Sequence, residues 1–302
     1  MLQILFNSLI RASQLSLVAV GLTMVYDLLG FANFAHVEFL AIGAFLAFLF
    51  NVTLGWNLIL SAAIAIALTG LIAVVTDRLV FKKLRNANRV ALMITSLGLG
   101  MALRNSIRAF WGAGIRSYAL PLQQPYVVGG LRITPVQVWI IVSALAAMVG
   151  FHLLLNKTKL GKAMRATSDN PSLAQASGID TKQVITWVWF LSGAMAAFGG
   201  VLIGVDTQIA PRMGFAIVIP IFAATILGGL GNPYGAMVGA LILGFAENFG
   251  LYINFAKVFT LNGLLGKAGE IYIPTGYKLA ISFIIMIVVL LVRPSGILGK
   301  RG

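Results

Sequence analysis

No cysteine occurs among the 302 residues, so disulfides and thiolate metal ligands are excluded. Acidic side chains are scarce, eight against 22 basic ones, and charged residues make up only 10% of the chain. A water-soluble domain carries about 25% charged residues, which excludes that class here. His36 and His152 are the only histidines and stand far apart, which argues against a metal site. No His-Glu-x-x-His, paired-Asp or Ser/His/Asp arrangement occurs, so no enzyme is expected. A G-x-x-x-x-G-K-[ST] phosphate loop is also missing. The N-terminus lacks a basic stretch and a small-residue cleavage site before the first apolar run, and it is read as retained.

What is present is apolar. Hydrophobic residues reach 59% and mean hydropathy is +0.96. The 33 glycines suit helices that pack closely in lipid, where small residues let backbones approach. The class is therefore an all-α polytopic membrane protein. The net charge of +14 is assigned to loops that set orientation beside anionic lipid rather than to nucleic acid.

Apolar runs predict nine spans, near 12–30, 37–54, 57–76, 90–112, 135–156, 183–205, 216–230, 234–255 and 276–293, some of them short or discontinuous. One transmembrane domain over 1–302 is expected. Lys and Arg concentrate in 77–89, in 157–182 and after Arg293, which places these segments in the cytoplasm and the N-terminus outside. Arg104, Arg108, Arg116 and Arg132 fall on the other side and weaken that count.

A polar island, 157–182, lies between two long apolar runs. Within it Gly161–Thr167 and Ser172–Ser177 read as short helices, with Asn170 as cap, Pro171 at the first turn and Gly178 as the stop. Ala163, Ala166, Leu173, Ala174 and Ala176 form a small-residue surface expected to dock a partner. An ordinary basic loop is the plainer alternative.

Two other constellations stand out. Gly30–Glu38 joins the first two spans and holds Asn33, Phe34, His36 and Glu38, expensive groups at membrane depth. Two readings stay open: a half-helix turn beside a translocation path, or a cluster that caps a helix and ties helices together. In the second reading Asn33 caps a helix starting near Ala35, and Glu38 sits where the helix dipole favours it. The second constellation is the break at Gly229, Gly231 and Asn232, followed by Glu247; broken helices in a membrane commonly line a cavity. The stretches around the two breaks look alike, which points to a weak parallel repeat. Met24, Tyr26, Phe34, Phe222 and Phe245 are candidates for an apolar path. A self-sufficient channel or ion-coupled carrier would need intramembrane charge, for which Asp27, Glu38 and Glu247 are the acidic candidates.

The island resembles the coupling loop of LivH-like permeases of bacterial ABC importers for branched-chain amino acids. Matching residues are Gly161-Lys162-Ala163, Arg165-Ala166, Asp169, Ala174 and Gly178-Ile179-Asp180. Asn33–Glu38 is similar to the family's NFAHGE segment, with Val37 where Gly is usual. Leu227–Gly231, Gly235-Ala236 and Gly239-Ala240 are similar to its Gly-rich segment. The resemblance implies a permease in the bacterial inner membrane, with a cytoplasmic coupling insert formed by Gly161 to Ile179 and including Asn170. It implies no cofactor on this chain and ATP hydrolysed by two partner ATPase subunits. A second permease, identical or a LivM-like sister, and a periplasmic binding protein would complete the assembly. Cargo would be branched-chain or other neutral amino acids, with urea or short amides as the alternative.

Overall fold

The computed structural model describes residues 1–121, 123–252 and 274–299. It is built from α1 (Leu2–Leu29), α2 (His36–Phe48), α3 (Leu58–Leu79), α4 (Arg89–Trp111), α5 (Pro135–Lys157), α6 (Lys159–Asp169) and α7 (Pro171–Ala176). Then follow α8 (Thr181–Asp206), α9 (Met213–Ala216), α10 (Val218–Gly228), α11 (Pro233–Gly250) and α12 (Lys278–Val292). A five-residue π-helical continuation, Leu49–Thr53, extends α2. Among the described residues the only sheet is an antiparallel hairpin, β1 (Tyr126–Val128) with β2 (Leu131–Ile133), in the loop before α5. The chain is an all-α polytopic membrane protein.

Among the described residues six helices are long and apolar enough to cross a bilayer, and the shorter apolar helices Val218–Gly228 and Lys278–Val292 fall at two further expected spans. The expected span 216–230 corresponds to α10, whose 11 residues rise only about 16 Å, roughly half a bilayer core. The expected 276–293 corresponds to α12, 15 residues long. The end of the expected 234–255 lies outside the described residues. The first span starts at Leu2 rather than 12, because Arg11 is neutralised inside the bundle by Glu247, Nε to Oε2 2.8 Å.

α1 is the central helix, with 89% of its most apolar window buried, and it packs against α5, α8, α10 and α11. Small residues make this possible. A Cβ added to Gly244 of α11 would meet the Ala12 backbone nitrogen at 2.8 Å, and one on Gly200 of α8 would overlap the Leu40 carbonyl of α2.

Two segments turn back into the bundle. α1 stops at Gly30, whose N–H bonds Tyr26 O at 2.8 Å, and the chain folds back so that α2 begins beside Val18, half-way along α1. After α8 the chain also returns: Ile209 and Arg116 exchange backbone bonds of 2.8 Å, and α9 comes to rest against the start of α2. From this mid-height meeting point α2 runs to one end of the bundle and α10 to the other.

The insert, α6 and α7, sits at the end reached by α10. Segment 77–89 lies at the same end, since Asp77, Lys82 and Arg85 share a cleft with Asp180, Lys182 and Trp187. Of the opposing arginines, Arg104 is used in an internal ion pair and Arg116 lies over the Phe48 ring. Tyr118 in the same loop is buried and donates to Ala44 O at 3.0 Å, and burial pushes its phenol above the ordinary range.

Candidate functional site

Burial of polar groups is costly unless each finds a partner; at the mid-height meeting point Asn33, His36 and Glu38 each find one, while Asn33 Nδ2 and Glu38 Oε2 have none among the described residues. Asn33 is fully buried, and its Oδ1 accepts the Ala35 N–H at 3.1 Å, an N-terminal bond that lipid could not supply. His36 Nε2 reaches the Val18 carbonyl at 3.0 Å, so that nitrogen carries the proton; Nδ1 then accepts from Ser192 Oγ at 3.2 Å. One imidazole thereby ties α2 to both α1 and α8. Glu38, in the first turn of α2 and fully buried, receives Arg104 Nε at 3.0 Å. The same guanidinium lies 4.3 Å from the Phe215 ring centroid on α9. Arg104 therefore holds both returning segments at once.

The family-typical glycine replaced by Val37 has a counterpart across the contact. A Cβ on Gly214 would overlap the Val37 carbonyl, so the close approach is permitted from the α9 side. Phe34 stacks on Phe222 with centroids 4.7 Å apart, joining α10 to this cluster. The other path candidates do not join them: Met24 lies toward the insert end, and Phe245 stacks on Phe249. Glu247 belongs to a separate cluster at the end opposite the insert, paired with Arg11 and bonded by Ser282 Oγ at 2.5 Å.

The insert forms as its local chemistry dictates. Thr158 Oγ1 accepts from Gly161 N at 3.0 Å to start α6, and a side chain at Gly161 would overlap the Leu154 and Leu155 carbonyls where α6 folds back on α5. Asn170 Oδ1 accepts from Leu173 N at 3.0 Å to start α7, Pro171 takes the first turn, and Gly178 follows with φ 84°. Ile179 N returns to Ala174 O at 3.0 Å. α8 is then capped by Asp180, which accepts from Lys182 N and Gln183 N.

Its faces differ from expectation. Ala174 is buried and Ala163 and Ala166 are half-buried, so most of the small-residue surface packs on the protein itself, where close approach is needed. Leu173 and Ala176 of the expected surface do face outward, beside Lys162, Arg165 and Asp169, with Leu173 63% exposed.

The Gly-rich break lies at this end and not at mid-height, because α10 is already complete when it is reached. Its main chain is covered by the segment after α12: Ile297 N bonds Leu227 O at 2.8 Å and Leu298 N bonds Gly228 O at 2.9 Å. Gly229, φ 110°, faces Gly299, and Asn232 caps α11 through Tyr234 N and Gly235 N. Gly231 N donates to Thr23 Oγ1 at 2.9 Å. A cavity of about 320 Å³ opens between the end of α1, the insert and this break. Met24, Arg165, Asp169, Gly231 and Asn232, read from separate motifs, all line it.

One feature escaped the sequence reading. Arg165 Nη1 donates to Asn156 Oδ1 at 2.8 Å, Asn156 Nδ2 donates to the Tyr234 hydroxyl at 2.7 Å, and that hydroxyl reaches His152 Nδ1 at 3.0 Å. The chain of bonds links insert, α5 and α11. The spacing of His152 and Asn156, one helical turn, was its only local sign.

Residues 4–290 match a family described as the permease component of the branched-chain amino acid transport system. The chain is 33% identical over 315 residues to the high-affinity branched-chain amino acid transport system permease protein LivH of Escherichia coli K12, covering 99% of this chain and 96% of that one. It is also 33% identical over 313 residues to the corresponding protein BraD of Pseudomonas aeruginosa, with the same coverage. Among solved structures, PsaBC from Streptococcus pneumoniae in complex with Fab superposes with a TM-score of 0.50 at 14% identity, covering 96% of this chain and 91% of that one, a likeness of fold alone.

Proposed function

The chain belongs to the family of branched-chain amino acid transport system permeases, and from that premise we propose that it is the membrane subunit of an ATP-driven importer for branched-chain or other neutral amino acids. It is a permease and not an enzyme. ATP would be hydrolysed by two separate ATPase subunits gripping the insert. A second permease, identical or a LivM-like sister, would complete the path, and a periplasmic binding protein would deliver cargo to the end opposite the insert. The setting would be a bacterial inner membrane, with the insert in the cytoplasm.

The observation that carries this reading is the insert. Two capped helices sit on the ends of the spans, one presenting an exposed Leu173 and the other exposed Lys162 and Arg165. Capping would let a push on α6 move the spans instead of bending a loop. Glu38 and Glu247 are each held by an arginine, which argues against an ion-coupled carrier working through them. Copurification with the ATPases, followed by reconstitution with the binding protein and ATP, tests the proposal. Uptake of leucine that needs no ATPase would overturn it.

A further inference from the structure

At the end opposite the insert, a second cavity of about 550 Å³ opens between α1, α5, α8, α9, α11 and α12. That volume lies in the range of small-molecule sites. Its lining is divided by chemistry. Arg11 and Lys278 bring positive charge, Asp206 brings the one carboxylate among the described lining residues, and Gln14 and Asn248 add amides. Ile10, Ile203, Met213 and Ile217 supply an apolar wall.

The charges are held in place but not used up. Gln14 Nε2 donates to Asp206 Oδ2 at 2.9 Å, leaving the carboxylate further acceptor capacity. Lys278 Nζ donates to Asn248 Oδ1 at 2.9 Å, one of its three protons. Arg11 gives Nε to Glu247, which sits behind the cavity and is not part of its lining. Two held cations and a held anion lining one cavity, with apolar side chains beside them, match a molecule with a carboxylate and an ammonium on one carbon and a hydrocarbon side chain.

We propose that this cavity is an entry site for the zwitterion of an apolar amino acid, with Arg11 and Lys278 toward its carboxylate, Asp206 toward its ammonium, and its side chain against the isoleucines and Met213. The proposal rests on the permease reading above and gives it a substrate-selecting site within the membrane subunit. Met213 is the first residue of α9, so cargo held here lies next to the mid-height cluster of Arg104 and Glu38.

Equilibrium binding of radiolabelled leucine to the purified permease–ATPase complex, with the binding protein omitted, tests it. Wild type should bind saturably, displaced far better by leucine than by leucinol, which lacks the carboxylate, or by 4-methylpentanoate, which lacks the ammonium. Asp206→Asn should weaken leucine binding about tenfold and narrow its advantage over 4-methylpentanoate. Lys278→Gln should do the same for leucinol. Arg11 is left intact because its partner Glu247 is buried. ATPase copurification of each variant reports whether it is folded. If the complex transports leucine but binds none in this assay, or both folded variants bind and discriminate as wild type does, the site is wrong and the permease reading stands. If the full complex transports no neutral amino acid, both fail.

Discussion

Tyr234 and Asn156 share a 2.7 Å hydrogen bond where the start of α11 meets the last turns of α5. Through Asn156 the bonds continue to Arg165 on α6, so a displacement of the insert would be carried to the start of α11 beside the Gly-rich break. Tyr234→Phe keeps the ring, which sits 5.6 Å from that of His152, and removes only the hydroxyl. A net loss of about 1 kcal/mol should leave the fold and ATPase association intact. Leucine carried per ATP hydrolysed should fall several-fold in proteoliposomes; an unchanged ratio would mean this link transmits nothing.

The outward face of the insert gives a second expectation. Leu173→Ser removes exposed apolar surface without touching a bond within the protein, so yield and melting temperature should hold while ATPase copurification drops. Arg165→Glu should also lower association, and it should cost coupling as well because it breaks the contact to Asn156. Full ATPase recovery with Leu173→Ser would move the docking surface elsewhere.

Asn33→Leu should lower folded yield and transport together. Its Oδ1 is fully buried against the Ala35 N–H, and losing such a cap costs on the order of 1 kcal/mol, more where no water can replace it. Thermal stability measured beside uptake decides the matter: abolished transport at an unchanged melting temperature would give Asn33 a role in handling cargo.

Arg104→Leu strands the fully buried Glu38 carboxylate, and breaking such a pair from one side costs about 3–5 kcal/mol. Replacing both residues by leucine should recover much of that stability but not transport, since α9 would lose its tie to α2. A double variant as unstable as Arg104→Leu alone would show that the pair is not the source of the cost.

Local chemistry was the legible part of this chain. Asn170, Pro171 and Gly178 each act within a few residues of themselves, so the two insert helices could be read to within a turn or two. Asn33 beside Ala35 is of the same kind. Long-range pairing was not legible: Arg11 meets Glu247 across 236 positions and Arg104 meets Glu38 across 66. Read singly, Arg11 put the start of the first span too late and Arg104 counted as a loop charge. Depth was illegible for a different reason. Hydropathy records that α10 is apolar but not that it starts half-way through the bundle, which depends on Gly214 meeting Val37. The inward facing of Ala163, Ala166 and Ala174 was not legible because alanine serves a close internal contact as readily as an external one.

The backbone bonds from Ile297 and Leu298 to Leu227 and Gly228 also bear on biosynthesis. When α10 leaves the ribosome, the two carbonyls at its end have no partner, and roughly 70 further residues must be translated before one exists. At about 5–20 residues per second that interval is several seconds. During it the α10–α11 hairpin stands in the membrane with its turn uncovered. Release of nascent chains arrested just before and just after residue 298, probed by protease at the turn, should show protection arriving only with the second.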